Sequence, residues 1–161
     1  MNNQILIKFK LILNKNLHSA MHASRETRDT SNDVSGAAGD VKADGAFEKF
    51  PEIPARSVKT LTERGFKYLF PIQQHCFAPV FKREDLIARD LTGSGKTFAF
   101  GLPMIEFLRK NKLIGTRRVQ AIILAPTREL ALQITTELTK LKWSPDEFNI
   151  VTVYGGVPIQ E

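Results

Sequence analysis

The sequence predicts an α/β fold with a parallel sheet, because short apolar runs alternate with amphipathic stretches of helical length. The clearest apolar run is VQAIILA at 119–125, which carries no charge, as expected of a parallel strand covered on both faces. A glycine-rich loop, GSGKT at 93–97, lies between a shorter apolar run and a long amphipathic stretch. These observations indicate two helices followed by the order β-α-β-α-β.

Two helices precede the sheet in this prediction. The first begins near Pro54 and carries Val58 and Leu61 at helical spacing, with Gly65 as a stop signal. The second begins at Pro71, because the missing N–H of proline costs nothing in the first turn of a helix.

The glycine loop follows a short strand in EDLIAR at 84–89 and precedes a helix from 96 to about 110. After the strand at 119–125, Pro126 ends the strand and Thr127 can cap the next helix. That helix carries apolar residues along one face, namely Leu130, Ile134, Leu138 and Leu141. The run NIVTVYGG at 149–156 predicts a third strand that ends in a glycine turn.

The N-terminal 45 residues differ from the rest in composition. Residues 23–45 are rich in Ser, Thr, Asp, Gly and Ala, so we expect a disordered segment there and a folded part at 46–161. The first 19 residues are basic and acid-free, like a targeting peptide. The alternative interpretation is an upstream stretch wrongly joined to the gene, with Met21 as the true start.

Composition narrows the class of protein. The net charge of +6 favours a polyanionic partner. Cys76 is the single cysteine, which excludes an internal disulfide. No apolar run reaches the roughly 20 residues of a membrane-spanning helix, so we expect no membrane partner.

The GSGKT loop has the residues of a phosphate-binding loop. Gly93 and Gly95 allow positive φ angles, the following helix directs its N-terminal N–H groups at the same place, and both favour phosphate. Lys96 would reach the β- and γ-phosphates, and the Thr97 hydroxyl would hold Mg²⁺. One position departs from the full pattern, because Asp90 stands where the first glycine is expected. The predicted nucleotide-binding residues of the loop are Thr92, Gly93, Ser94, Gly95, Lys96 and Thr97.

Four motifs in order carry a family resemblance. They are GFKYLFPIQ at 65–73, GSGKT at 93–97, APTRELA at 125–131 and YGG at 154–156. In order and spacing they resemble the Q motif, motif I, motif Ia and GG motif of the DEAD-box RNA helicases. GAFEKFP at 45–51 and LFPIQ are most similar to the nucleolar Gu-type members. The resemblance runs from about residue 45 to the end of the chain, and it implies a RecA-like domain that uses ATP and Mg²⁺ and binds RNA.

The resemblance also implies roles for single residues. Gln73 would read adenine, because an amide donates and accepts at once, and Phe47 would stack on the base, with Phe50 as the alternative. Lys96 and Thr97 would serve catalysis. The residues implied to contact the RNA backbone are Pro126, Thr127, Arg128, Gly155 and Gly156.

Each role has a simpler structural alternative. Gln73 alone would be a solvent-facing helix residue, Thr127 a plain N-cap, and the two glycines of YGG a turn. The basic residues that flank the loop before the second strand are interpreted as solvated; they are Arg109, Lys110, Lys112, Arg117 and Arg118.

The sequence contains no D-E-A-D motif and no second RecA-like domain, which supply the acidic pair and the arginine fingers in the resembled family. We therefore expect an N-terminal part of an ATP-dependent RNA helicase that binds ATP and RNA without turning ATP over. The resemblance implies a nuclear or nucleolar location, with the cytoplasm as alternative. The competing functions are a non-catalytic short isoform that binds RNA or protein partners, and another phosphate-loop NTPase such as a small kinase.

Overall fold

A computed structural model of the chain describes residues 5–9, 44–90 and 93–156, and for residues 5–9 it describes the backbone alone. The elements are β1 (Ile5–Phe9), a 3₁₀ helix (Phe47–Lys49), α1 (Ala55–Glu63), α2 (Pro71–Lys82), β2 (Leu86–Asp90), α3 (Lys96–Lys110) and α4 (Arg128–Thr139).

The four α-helices confirm the helix predictions, although α4 ends at Thr139, before Leu141, which the prediction had placed on this helix. α1 ends shortly before Gly65, whose φ of 88° is incompatible with a continuing helix. α2 begins at Pro71. α4 begins after Thr127, whose hydroxyl oxygen accepts a hydrogen bond from the Leu130 N–H at 3.2 Å.

The hydrophobic core lies between α2 and α3, with α1 and α4 packed around it. Phe77 of α2 and Leu102 of α3 are almost completely buried. Gly101 lets α3 approach α4, because a Cβ there would lie 2.3 Å from the Leu138 side chain. This packing fixes the direction of the two helices that begin at the phosphate loop and at Thr127.

The sheet differs from the predicted one. Among the described residues, β2 pairs with β1, and the pairing is antiparallel, from Ile5 opposite Asp90 to Phe9 opposite Leu86. The strand predicted before the glycine loop is confirmed. Residues 5–9 belong to the basic N-terminal stretch, and their backbone supplies the pairing partners of β2. The rest of the N-terminal extension, 1–4 and 10–43, lies outside the described residues.

The predicted strands at 119–125 and 149–156 are not paired in the described structure, so the prediction of a parallel sheet is wrong there. The first run has alternate burial, since Ala121 and Ile123 pack against the core whereas Ile122 and Leu124 are 62% and 90% exposed. The second run shows the same alternation. Only one face of each run is therefore covered, and a paired strand also needs a neighbour for its backbone groups.

None of the helices in the described ranges has both the length and the apolar character needed to cross a membrane. The proposed division at residue 45 stays a prediction.

Candidate nucleotide and nucleic-acid site

The phosphate loop has the backbone conformation that the sequence predicts. Gly93 and Gly95 have φ angles of 83° and 80°, in the left-handed region that glycine adopts without steric cost. Gly95 caps α3, so the unpaired N–H groups of the first turn face the loop. The Lys96 ammonium donates to the Asp90 carbonyl oxygen at 3.0 Å and to the Ser94 hydroxyl at 3.3 Å. A cationic group and a helix N-terminus thus meet at one place, which suits a phosphate.

Gln73 joins the Q motif to this loop. Its side chain is 4% exposed, so the interpretation as a solvent-facing residue is wrong. The Gln73 Oε1 accepts from the Phe70 N–H at 2.9 Å, and Nε2 donates to the Gly95 carbonyl oxygen at 3.2 Å. The amide that would read a base is therefore held directly against the loop that would hold the phosphates.

The Gln73 amide retains the capacity that adenine requires. A carboxamide has two N–H donors and two acceptor lone pairs, and the contacts with Phe70 and Gly95 use one of each. Within the part of the chain that the structure describes, this leaves one donor and one acceptor of the amide, the complement of adenine N7 and N6. Lys96 and the α3 N-terminus fit a triphosphate, and Thr97 is the loop residue that would hold a Mg²⁺ ion to neutralise phosphate charge. Thr92 lies outside the described residues.

Asp90 is half-buried beneath the loop, with its backbone carbonyl turned to the Lys96 ammonium. Burial, and to a smaller extent the Asp90 carboxylate, raise the pKa of the neighbouring Cys76 thiol to about 11. The thiol is therefore protonated at neutral pH and does not act as a nucleophile.

Phe47, the residue assigned to stack on adenine, is 7% exposed in the 3₁₀ helix. It lines a cavity of about 310 Å³ together with Phe50, Ile53 and Val58. None of the phosphate-loop residues that the structure describes lines this cavity. The contribution of Phe47 to adenine stacking stays a prediction.

The residues implied to contact RNA lie in two segments, the N-terminus of α4 and the turn after Tyr154, and Arg128 joins the two through Tyr154. Thr127 caps the helix, so the N-cap interpretation is confirmed, and the cap leaves other first-turn N–H groups unpaired. The Arg128 guanidinium lies over the ring of Tyr154, 4.6 Å from its centroid. Gly155 and Gly156 follow, both exposed, and a Cβ at either would meet no atom within 4 Å.

A buried polar cluster escaped the sequence analysis. Arg109 was interpreted as solvated, which is wrong, since 6% of its side chain is exposed. Its guanidinium donates to both carboxylate oxygens of Glu147, at 2.8 and 2.9 Å, and also to Glu106. Ser57 accepts from Arg109 and Trp143, and it donates to Glu106 at 2.6 Å. The only sequence feature that could have indicated this cluster is the spacing of three residues between Glu106 and Arg109, which places both on one helix face.

The pKa values of the two carboxyl groups in this cluster are shifted in opposite directions. Burial raises the pKa of Glu106 above its ordinary value despite the opposing effect of Arg109. Burial also acts on Glu147, but the hydrogen bonds from Arg109 and from the Trp143 N–H outweigh it and lower the Glu147 pKa. The cluster ties α1, α3 and the segment after α4 together, far along α3 from the phosphate loop.

The left-handed glycines, the loop lysine and the helix behind it define a phosphate-loop nucleotide-binding protein. Comparison with known families is more specific: residues 70–161 match the family model described as DEAD/DEAH box helicase. The match covers more than half of the chain, so the chain belongs to the DEAD/DEAH box helicase family. This confirms the resemblance drawn from the motifs, and membership implies the RecA-like fold.

Several curated proteins are similar to this chain. Nucleolar RNA helicase 2-B of Xenopus laevis is 43% identical over 122 residues, which are 74% of this chain and 15% of that protein. ATP-dependent RNA helicase DDX50 of Homo sapiens is 41% identical over 119 residues, 73% of this chain and 16% of that protein. DEAD-box ATP-dependent RNA helicase 3A, chloroplastic, of Zea mays is 45% identical over 109 residues, 65% of this chain and 14% of that protein.

The chain thus spans about 15% of the length of these relatives. All three names describe RNA helicases, the Xenopus laevis one a nucleolar RNA helicase, and none of them describes a small kinase.

Proposed function

We propose that this chain is the part of an ATP-dependent RNA helicase that binds ATP with Mg²⁺ and holds the RNA backbone. In this proposal Lys96, Thr97 and the loop glycines bind the phosphates, and Gln73 selects adenine. The N-terminus of α4, with Thr127 and Arg128, contacts RNA phosphates, so binding is independent of base sequence.

The hydrogen bond between Gln73 and the Gly95 carbonyl carries the proposal. A phosphate loop alone is compatible with many nucleotide-dependent activities. A buried carboxamide attached to that loop, with one donor and one acceptor left, adds a preference for the base. This combination fits ATP better than GTP, since guanine presents an oxygen where adenine presents an amine.

We also propose that the 161-residue chain does not hydrolyse ATP. In-line attack of water needs a carboxylate that holds the metal and a cation that stabilises the transition state. The sequence has no D-E-A-D motif to supply the former. We therefore expect this chain to bind ATP without hydrolysing it, with RNA unwinding as an activity of the longer protein.

Titration with a fluorescent ATP analogue in the presence of Mg²⁺ tests the proposal. We expect the wild-type chain to bind ATP in preference to GTP and Lys96→Ala to weaken ATP binding by about tenfold to a hundredfold. The reason is that a charge-assisted hydrogen bond to phosphate is lost, together with the contacts of Lys96 with Asp90 and Ser94 within the loop.

Lys59→Ala is the matched control, because the Lys59 side chain lies on α1 and is 76% exposed. It should bind ATP like the wild type. Equal affinity for ATP and GTP, or ATP binding that does not depend on Lys96, would contradict the proposal.

For the location we propose the nucleolus, on the strength of the nucleolar names among the relatives. The chloroplastic name of the Zea mays relatives points to the organelle alternative. A fluorescent fusion of the complete chain distinguishes them, and a fusion that begins at Met21 shows whether the first 20 residues matter.

A further inference from the structure

Tyr154 has no assigned role, but it lies directly beneath an implied RNA contact. The Arg128 guanidinium sits over its ring, 4.6 Å from the centroid. Arg128 is exposed and Tyr154 is half-buried, so the guanidinium lies on the solvent side of the Tyr154 ring. Within the described ranges no carboxylate forms an ion pair with Arg128.

A second contact holds the same two segments together. The Thr135 hydroxyl on α4 and the Thr152 hydroxyl, two residues before Tyr154, are 2.6 Å apart. This hydrogen bond fixes the segment 150–154 along α4. The ring of Tyr154 is thus presented to the first turn of the helix by a contact that does not involve Arg128.

We propose that Tyr154 is a positioning residue that holds the Arg128 guanidinium for an RNA phosphate. When a guanidinium stacks on an aromatic ring, the flat face of the guanidinium contacts the ring. The N–H donors of the guanidinium lie in the plane of the group, so they stay available for an anion. Stacking also restricts a long side chain before RNA arrives, which lowers the ordering cost of binding. The inference rests on the proposed function, since it presumes that Arg128 contacts RNA.

Salt-dependent fluorescence anisotropy with a short fluorescein-labelled oligouridine tests this inference on the complete chain. Tyr154→Leu should weaken RNA binding by about twofold to fivefold, the range expected for one exposed cation–π contact. Tyr154→Phe keeps the ring and should bind like the wild type. Arg128→Ala should weaken binding and lower the slope of log affinity against log salt by about 0.7, because one phosphate contact is lost.

The double variant separates positioning from other roles. If Tyr154 acts through Arg128, Tyr154→Leu has no further effect in the Arg128→Ala background. If Tyr154 stacks on a base itself or only supports the fold, Tyr154→Leu weakens binding equally in both backgrounds, and the inference is overturned. Tyr154→Gln repeats the test if the leucine variant melts at a lower temperature than the wild type.

The two proposals fail differently. Wild-type chain that shows no salt-sensitive RNA binding would overturn the proposed RNA contact and this inference together. Wild-type binding that depends on Arg128 but is unaffected by Tyr154→Leu would overturn the inference alone.

Discussion

Arg109→Met is expected to lower the free energy of unfolding by about 3–5 kcal/mol, although Arg109 lies far from the nucleotide loop. Arg109 forms ion pairs with two carboxylates, Glu106 and Glu147, that have 1% and 10% of their side chains exposed. Methionine has a similar length and fills the space. It leaves two buried carboxylates without their cation, and the Leu141 carbonyl oxygen without its 2.7 Å donor.

Thermal and urea unfolding measure this effect, and a melting temperature lower by roughly 10 °C is expected. Arg117→Met is the matched control, because it makes the same substitution at an exposed position of the same basic stretch. It should leave the unfolding midpoint unchanged. An Arg109→Met chain as stable as the control would show that the cluster contributes no net stability.

The stability deficit of Arg109→Met should shrink as the pH falls from 7 towards about 5. The Glu106 pKa already lies above the ordinary 4.5 because of burial, and without Arg109 it loses the largest contact that opposes this rise. Glu147 loses its hydrogen bonds and attraction to Arg109, which lower its pKa, so that pKa rises as well. A group with a raised folded-state pKa contributes stability that is present below the unfolded-state value and is lost as the pH rises. The variant therefore regains stability on acidification, and a deficit that is independent of pH would contradict this explanation.

Gly95→Ala is expected to reduce both the affinity for ATP and the preference for ATP over GTP, by about tenfold in affinity. Alanine at a φ of 80° is strained, and its Cβ would lie 2.3 Å from the Gln73 Nε2. Gln73 must therefore move away, and its hydrogen bond to the Gly95 carbonyl is lost. Since Gln73 is the proposed reader of adenine, base selectivity should fall with affinity.

Gly93→Ala separates the effect of backbone strain from the effect of a steric clash with Gln73. Gly93 has nearly the same φ of 83°, but a Cβ there would meet nothing within 4 Å. This variant should have the backbone strain alone, and it should keep the preference for ATP over GTP. The measurement is a titration of each variant with fluorescent ATP and GTP analogues. Equal selectivity in both variants would mean that Gln73 does not read the base through this arrangement.

The sequence by itself determined the four helices, the strand before the glycine loop and the phosphate loop. Pro71 and Thr127 start helices for reasons that lie within a few residues, namely a missing N–H and a side-chain cap. Gly93 and Gly95 required positive φ angles for equally local reasons. The order of the motifs was also sufficient to indicate the family.

The tertiary structure alone decided three features. The pairing of β2 with β1 joins residues about 80 positions apart, and neither segment specifies its partner locally. The Gln73 contact with Gly95 depends on how α2 packs against α3. Arg109 looks like any basic residue at a helix end, and its burial follows from Glu147 and Trp143, which come from a segment beyond α4. Such features depend on long-range packing, which the spacing of residues along the chain does not encode.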